Sequence, residues 1–184
     1  MDKEKIKNAV KLFLEGIGEN PNRDELLRTP ERVADMCEEI FSGIGKDPEQ
    51  ELTPFFAKNN DQIVLLKNIP FYSLCEHHLL PFFGSAHLAY IPKDDRIAGL
   101  SKFIRIIDIY ACRMQVQERL TTQIVDLMMK RLKPLGALVV IEARHLCMSM
   151  RGVKKNVPVV TSAVRGVFKT NQKARLEALS LLRS

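Results

Sequence analysis

Segments with strand-like patterns come in adjacent groups along this sequence, and a helical segment separates the two groups. The first group covers residues 63–66, 69–74 and 85–91, and the second covers residues 138–150 and 157–168. An apolar repeat of helical period lies between them, over residues 115–132. Because strands that follow each other through short turns tend to pair antiparallel, this order predicts an α+β fold. It argues against a doubly wound parallel sheet, in which strands and helices alternate singly.

Helical periodicity also occupies the beginning of the chain. Apolar residues recur every three or four positions over residues 6–17 and again over residues 33–41. The polar, proline-containing segment 45–60 is typical of a connecting loop. We therefore expect an N-terminal helical region over residues 1–60 and a sheet-containing catalytic domain over residues 61–184.

The composition is that of an ordinary globular protein with a basic excess. The chain has 184 residues, which is enough for one domain with an extension, and no apolar run approaches the about 18 residues of a membrane span. Lys and Arg number 28 and Asp and Glu number 22, so the net charge is +6. That excess favours nucleic acid, a membrane surface or a phosphorylated substrate, without choosing among them. The four cysteines form no close pairs, which indicates a reducing cytoplasm.

Cysteine and histidine residues concentrate in two short segments. Cys75 and His78 are three residues apart, a spacing that puts both side chains on one side of a helical turn but on opposite faces of a strand. We therefore expect the strand before Cys75 to end in such a turn. His145 and Cys147 form the second segment, and on a strand they would share a face. Thiolate and imidazole are natural zinc ligands, and three interpretations stay open. They are an open catalytic zinc site with Cys147 as third ligand, a closed structural site completed by His145, and buried thiols beside hydrogen-bonded histidines.

Cationic side chains form another group. Continuing the strand face of the second segment leads to Arg151, roughly 13 Å along four residues of strand. Lys102 and Arg105 follow Ser101, the expected N-cap of a helix, and a helix N-terminus attracts anions. Arg32 begins an earlier helix. A metal and separated cations would suit a substrate whose reactive group lies several ångströms from a polyphosphate, although each cation taken alone is more often ordinary surface.

Gln117 and Glu118 lie side by side in the predicted central helix. A carboxylate can accept from N1–H and the 2-amino group of guanine while an amide binds the carbonyl, although such a pair is usually surface when it stands alone. The sequence has no Gly-rich phosphate loop, so phosphates would be held by side chains and helix ends. Cys37, Cys112 and His87 are interpreted as packing residues.

Longer stretches around these residues are specific enough to compare with known families. They are residues 73–84 (SLCEHHLLPFFG), 87–92 (HLAYIP), 99–102 (GLSK), 115–121 (QVQERLT) and 145–152 (HLCMSMRG). Together they closely resemble the signature of zinc-dependent GTP cyclohydrolase I. The likeness runs from about Asn20 to the C-terminus.

The resemblance implies a role for each residue singled out above. It makes Cys75, His78 and Cys147 the ligands of a catalytic zinc ion. It makes His77 and His145 the acid–base histidines, and Gln117 and Glu118 the pair that reads guanine. The implied triphosphate contacts are Arg32, Ser101, Lys102, Arg105 and Arg151.

An activity, a fold and an assembly are implied as well. The family hydrolyses GTP at C8, releases formate and recyclises the product to 7,8-dihydroneopterin triphosphate, the entry step to folate or tetrahydrobiopterin. Its fold is a tunnelling fold, an antiparallel four-stranded sheet with two helices packed on one side. Five sheets join in a ring, and two rings stack into a homodecamer whose active sites are shared between subunits.

Two other functions remain compatible with the residues. A related zinc hydrolase would act on a different purine nucleotide. A zinc-stabilised nucleic-acid-binding module would use the +6 charge, but the sequence has no Trp and no basic stripe with interleaved aromatic residues. We therefore expect a cytoplasmic enzyme with GTP as its partner, and neither nucleic-acid nor membrane binding.

Overall fold

Helices and strands follow one another in the predicted order in the computed structural model, which describes residues 1–58 and 61–183 except for the side chain of Arg183. The helices are α1 (Lys3–Gly16), α2 (Thr29–Ile40), α3 (Leu100–Ala111), α4 (Gln117–Leu132), α5 (Leu146–Ser149), α6 (Val167–Thr170) and α7 (Gln172–Arg183). The strands are β1 (Pro54–Phe56), β2 (Val64–Cys75), β3 (Pro81–Ile91), β4 (Arg96–Ala98), β5 (Met114–Gln115), β6 (Gly136–His145) and β7 (Val159–Gly166). Contacts divide the chain into two units, Met1–Ser42 and Gly43–Ser184. The domain boundary predicted at residue 60 falls on Asn59 and Asn60, outside the described residues.

In the N-terminal unit, α1 and α2 pack against each other. Lys3 links them through its ammonium group, which lies 3.0 Å from Asp35 and 2.8 Å from Glu38. Leu14 of the predicted apolar stripe is buried, whereas Phe13 is 65% exposed. Ion pairs therefore link the two helices, and their apolar side chains are only partly buried.

Five strands form the main sheet in the order β5-β2-β3-β6-β7. Four of them, β2, β3, β6 and β7, pair antiparallel, which confirms the predicted α+β architecture. β5 adds two residues parallel to the end of β2, and β1 pairs separately with β4. Phe82 on β3 is paired with Ser73 on β2 and with His145 on β6. The strand ends that carry Cys75 and His145 therefore lie at the same end of the sheet, on either side of β3.

A β-bulge exchanges the two faces of β2 partway along the strand. The pairing register shifts between Leu66 and Ile69, and Asn68 has a φ of 57° there. Leu66 faces the main core before the bulge, and Ile69 and Phe71 face it afterwards. His87 on β3 supports the bulge, because its Nδ1 accepts the backbone N–H of Asn68 at 3.1 Å. This contact fits the structural role predicted for His87.

Helices cover both faces of the sheet. The main core joins the sheet to buried residues of α3 and α4, namely Phe103, Ile106, Ile107, Leu120, Ile124 and Met128. This agrees with the expected pair of helices on one side. A smaller cluster on the opposite face contains Ala89, Leu138, Phe168 and Ala178, so α7 packs there as an additional element. Among helices of the described ranges, none combines the length and apolarity that crossing a membrane requires.

α3 and α4 present opposite ends to the end of the sheet that carries Cys75. The carbonyl of Ala111, the last residue of α3, accepts the hydroxyl of Ser73 at 2.7 Å. α4 begins at Gln117, beside the same strand ends. The expectation that Ser101 caps α3 is wrong, because the helix begins at Leu100 with Gly99 in the cap position. Ser101 thus lies in the first turn of α3.

The strand predicted over residues 138–150 is wrong at its C-terminal end. β6 ends at His145, and α5 follows at once. No β-branched residue follows Ile141 in this segment, whereas Leu and Met favour helix. The hydroxyl of Ser149 also donates to the carbonyl of His145 at 3.1 Å, which closes the helical turn. The common strand face predicted from His145 to Arg151 therefore does not form.

Gly84 allows β3 and β6 to approach closely beside these strand ends. A Cβ at this position would lie 1.9 Å from the backbone oxygen of Glu142 and 2.7 Å from the Cα of Ala143. Because both atoms are backbone, the strands themselves must separate. We expect Gly84→Ala to lower the free energy of unfolding by about 3 kcal/mol, measured by urea unfolding followed by circular dichroism.

Gly16→Ala in α1 is the matched control, because an added Cβ meets nothing within 4 Å there. Its unfolding free energy should stay unchanged or rise by up to about 1 kcal/mol, since Ala favours helix over Gly. An unfolding midpoint of Gly84→Ala equal to that of the wild type would contradict the close-approach argument.

Candidate metal centre and active site

The chain turns sharply after β2, and the turn carries two candidate ligands. The N–H groups of Leu79 and His78 donate to the Cys75 carbonyl at 2.9 and 3.3 Å, and the Cys75 N–H donates to the Leu80 carbonyl at 2.9 Å. Leu79 has a φ of 56°, a left-handed conformation that a non-glycine residue adopts only under constraint. The turn predicted from the Cys75–His78 spacing is confirmed, and it leaves Cys75 Sγ 3.9 Å from His78 Nδ1.

Cys147 reaches the same point from α5. The ligand atoms of Cys75, His78 and Cys147 all lie within 4.8 Å of one another, so this group could hold a metal ion. His145 does not belong to the group, because its Nε2 contacts Gln117 instead. The described residues therefore form a three-ligand cluster and not the closed four-ligand site that the sequence left open.

The chemistry of the thiols also favours a cation. Burial and the neighbouring Cys75 thiol raise the pKa of Cys147 above its ordinary value. A metal ion at this point would reverse that effect, because it stabilises the thiolates and displaces their protons. Cys37 and Cys112 are free thiols outside the cluster, which agrees with their interpretation as packing residues.

Glu76 anchors the turn that carries Cys75 and His78 to α4. Its carboxylate pairs with the Arg119 guanidinium, which holds the pKa of Glu76 below its usual range. Arg119 also donates at 2.9 Å to the side-chain oxygen of Gln115 and at 2.9 Å to the carbonyl of Met114. The next residue, His77, has a side chain that is 64% exposed, with Nε2 3.9 Å from Glu76 Oε1. Its ring is therefore accessible to a ligand.

His145 is held from two sides at the end of β6. Its ring stacks on Phe82 with centroids 4.8 Å apart and planes 1° from parallel. Its Nε2 lies 2.7 Å from Oε1 of Gln117. Burial lowers the pKa of His145, while the negative charge of Glu118 acts in the opposite direction. Stacking on Phe82 and the contact with Gln117 together fix the position of the imidazole ring.

Gln117 and Glu118 are neighbours in opposite environments. The Gln117 side chain is buried, and its amide nitrogen donates to the carbonyls of Ile141 at 3.0 Å and Val159 at 2.9 Å. Glu118 is exposed, and its carboxylate makes no hydrogen bond or ion pair with any residue that the structure describes. Of the two side chains, Glu118 is the one that offers unoccupied acceptors to a ligand.

These side chains line one cavity of about 210 Å³. The predicted site residues that line it are Cys75, His77, His78, Gln117, Glu118, His145 and Cys147. Phe82, Gln115 and Val116 complete the lining. The cavity therefore unites the candidate ligands, both candidate acid–base histidines and the candidate guanine-reading pair.

Three of the predicted triphosphate contacts lie elsewhere. Ser101, Lys102 and Arg105 belong to the N-terminal half of α3, whose opposite end reaches the site. Lys102 lies nine residues before Ala111, roughly 13 Å along the helix axis. Lys102 and Arg105 instead face Oε2 of Glu51, at 3.7 and 3.5 Å. Within one chain, these cations do not line the cavity.

The remaining two predicted cations differ in their relation to the site. Arg151 follows α5, and its positive charge acts on the Cys147 thiol, so it lies within electrostatic reach of the cluster. Arg32 is an exposed residue of α2 in the N-terminal unit.

Three supporting side chains were not identified from the sequence. Phe82 and Arg119 lie inside the longer motifs, but nothing in their spacing indicated that one stacks on His145 and the other anchors Glu76. Thr161 lies on β7, where only the pairing with Ile141 on β6 brings it toward the site. Only knowledge of the register between β6 and β7 would have placed Thr161 near the site.

Among solved structures, the chain is similar to the archaeosine synthase QueF-Like in its apo form. The TM-score is 0.42 and the sequence identity is 19%, over 55% of this chain and 92% of that one.

Sequence relatives match nearly the whole chain. Proteins named GTP cyclohydrolase 1 from Pelotomaculum thermopropionicum and Caldanaerobacter subterraneus subsp. tengcongensis are each 56% identical, over 99% and 100% of this chain and 97% and 98% of their own. The protein of the same name from Clostridioides difficile is 55% identical over 99% of this chain and 97% of its own. The family model of GTP cyclohydrolase I matches residues 6–183. The chain therefore belongs to the GTP cyclohydrolase I family.

Proposed function

We propose that this chain is a zinc-dependent GTP cyclohydrolase I that hydrolyses GTP at C8 of guanine, releases formate and forms 7,8-dihydroneopterin triphosphate. The product would feed folate or tetrahydrobiopterin synthesis. The observation that carries the proposal is the cluster of Cys75, His78 and Cys147, with ligand atoms within 4.8 Å, beside a cavity that also holds His77 and His145. Metal ligands and two imidazoles around one cavity are the groups that a hydrolytic ring opening requires.

The cluster suits zinc by its ligand types and by its spacing. Zinc prefers thiolate and imidazole, and tetrahedral bonds of about 2.0–2.3 Å place such ligand atoms about 3.3–3.8 Å apart. The distance of 3.9 Å between Cys75 Sγ and His78 Nδ1 is close to that range. Three protein ligands are typical of catalytic zinc, whereas structural zinc usually has four. When bound, zinc supplies the Lewis acidity that activates water near neutral pH.

His77 and His145 are the proposed acid–base residues, and their surroundings suit different tasks. C8 lies between two ring nitrogens of guanine and becomes electrophilic once N7 is protonated. The accessible imidazole of His77 is suited to donate that proton. The imidazole of His145 is stacked and half-buried, and burial lowers its pKa, so it is suited to accept one.

Substrate binding is proposed to use a carboxylate for the base and cations for the phosphates. Glu118 offers both carboxylate oxygens to N1–H and the 2-amino group of guanine, a pattern that adenine does not present. The proposed triphosphate contacts are Arg32, Ser101, Lys102, Arg105 and Arg151. Holding the substrate at both ends would keep C8 in place through the successive ring-opening and ring-closing steps.

A second copy of the chain is proposed to complete each site, in a homodecamer of two stacked five-membered rings. Lys102 and Arg105 face Glu51 and not the cavity of their own chain. The cavity of about 210 Å³ is also smaller than the roughly 300–1,000 Å³ of a typical ligand pocket. β7 has no second partner strand among the described residues, so neighbouring sheets could pair with that edge.

A cytoplasmic location is proposed from the chemistry of the ligands. All four cysteines are free thiols. Cys75 and Cys147 can bind a metal only while they are reduced, and the cytoplasm maintains that state.

Zinc-loaded protein should release formate from GTP and give a fluorescent neopterin after oxidation and dephosphorylation, and a chelator should abolish both. Cys147→Ala should lose zinc and activity together because two ligands remain, with zinc measured by elemental analysis. Cys37→Ala, which removes a thiol outside the cluster, should keep both. Absence of formate from the zinc-loaded wild type would reject the proposed function, and preferred turnover of ATP would indicate a related purine hydrolase.

His77→Ala should separate metal binding from turnover. Because His77 lies beside the ligand His78 without belonging to the cluster, zinc content should equal that of the wild type. The turnover number should fall by about 10²–10⁴-fold, as is usual for loss of a general acid. Turnover within a few-fold of the wild-type value would exclude the acid role.

Shared sites should allow two inactive variants to complement each other. His77→Ala and Lys102→Ala chains, co-expressed and co-purified, should recover about a quarter of wild-type activity, the fraction of sites that receive both intact residues by random assembly. His77→Ala mixed with Cys147→Ala is the control, because both defects lie in the same cavity, and it should recover nothing. If the first mixture were no more active than its parents, each site would belong to one chain.

A further inference from the structure

Both polar atoms of the Gln117 side-chain amide have hydrogen-bond partners inside the protein. It is 1% exposed, although it lines the cavity through the first turn of α4. Its Nε2 donates to the carbonyls of Ile141 at 3.0 Å and Val159 at 2.9 Å, which belong to β6 and β7. Its Oε1 lies 2.7 Å from Nε2 of His145. A guanine base would have to compete with these partners for every polar atom of the group.

Two hydroxyl groups determine which way this amide points. Thr121 donates from Oγ1 to the backbone carbonyl of Gln117 at 2.7 Å, and this bond uses the only hydroxyl proton of Thr121. Thr161 Oγ1 lies 2.6 Å from Thr121 Oγ1, so Thr161 must be the donor in that pair. Thr161 then accepts from Gln117 Nε2 at 3.2 Å, which closes a ring of hydrogen bonds.

The ring and the two strand carbonyls leave a single orientation for the amide. Three acceptors, on Ile141, Val159 and Thr161, face the same end of the Gln117 side chain, so that end must be the NH₂ group. The oxygen therefore faces His145, and Nε2 of His145 must carry the proton that Oε1 accepts. No described residue forms a hydrogen bond with Nδ1 of His145. In the neutral imidazole, Nδ1 is therefore the ring nitrogen without a proton.

We infer that Gln117 is a positioning residue that holds His145 as the Nε2–H tautomer with Nδ1 free to accept a proton, and not a guanine-reading residue. Phe82 fixes the plane of the imidazole by stacking, and Gln117 fixes its rotation and its tautomer. Glu118 is then left as the one side chain of the predicted pair that reads the base. The catalytic consequence rests on the proposed function, because it requires His145 to act on GTP.

Gln117→Met tests the assignment by separating kcat from KM. Methionine has a similar length but neither accepts from His145 nor donates to the strand carbonyls. We expect kcat to fall about 10–100-fold, the usual cost of losing a partner that orients a reacting group, with KM for GTP within about threefold and zinc content unchanged. A rise in KM of tenfold or more with kcat unchanged would instead assign Gln117 to guanine and overturn the inference.

Gln123→Met is the matched control on the same helix. Gln123 accepts from Gln115 at 2.9 Å and does not contact His145, and Gln115 keeps its bonds to Tyr110 and Arg119 when Gln123 is replaced. Its kcat should stay within about twofold of the wild-type value, since Gln123 does not line the cavity and Gln115 keeps its other partners. An equal loss of kcat in both variants would mean that Gln117 acts only through stability, which would also reject the inference.

Thr161 provides a second test that leaves Gln117 in place. Thr161→Val has the same shape but cannot complete the ring of hydrogen bonds, and we expect kcat to fall several-fold, up to about tenfold. Thr161→Ser restores the hydroxyl and should restore kcat to within about twofold. If the two variants had the same kcat, the hydroxyl ring would have no part in orienting the amide.

The tautomer itself can be measured without turnover. The chain has four histidines, so ¹⁵N-histidine labelling and magic-angle-spinning NMR of the zinc-loaded protein can be assigned with single substitutions. We expect a protonated Nε2 and a bare Nδ1 for His145 in the wild type, and a mixture of tautomers in Gln117→Met. An inactive protein with this tautomer would reject the proposed function alone, whereas a bare Nε2 on His145 would reject the inference whatever the activity.

Discussion

The register of β3 between β2 and β6 decides where the parts of the site can meet. Phe82 is paired with Ser73 on one side and His145 on the other, so β2 and β6 end at the same end of the sheet with β3 between them. A slip of one residue would turn Phe82 to the other face of the sheet and remove the surface on which His145 stacks. The close backbone approach at Gly84 keeps that register. The turn after β2 and α5 then begin at neighbouring points, although the candidate ligands that they carry are far apart in the sequence.

The site combines an internally satisfied framework with side chains that remain available. Gln117, Thr121 and Thr161 bond to one another and to strand carbonyls, and a buried polar group is tolerated only when it has such partners. His77 and Glu118 line the same cavity but are exposed. The residue proposed to orient His145 therefore lies in the framework, and the residues proposed to meet GTP directly lie outside it.

The sequence predicted those features whose causes are local. The spacing of Cys75 and His78 indicated a turn because three residues are one helical turn, and the turn is present. The end of β6 was predicted wrongly, because the strand-favouring run that ends at Ile141 obscured the helix after His145. The contacts of Gln117 were beyond local reasoning altogether. They depend on carbonyls 24 and 42 residues away, which only the pairing of β6 with β7 brings together.

Two of the cationic residues that contribute to the net charge of +6 are paired with Glu51. Both Lys102 and Arg105 face one oxygen of this carboxylate, at 3.7 and 3.5 Å, and all three side chains are at least partly exposed. Exposed ion pairs of this kind contribute at most about 1 kcal/mol, so an incoming anion can displace Glu51 at little cost. A triphosphate would offer each cation several oxygens, whereas Lys102 and Arg105 share one oxygen of Glu51. Charge-assisted hydrogen bonds to phosphate are also stronger than long ion pairs. In the proposed function, Glu51 would hold these two cations close together until the triphosphate of GTP replaces it.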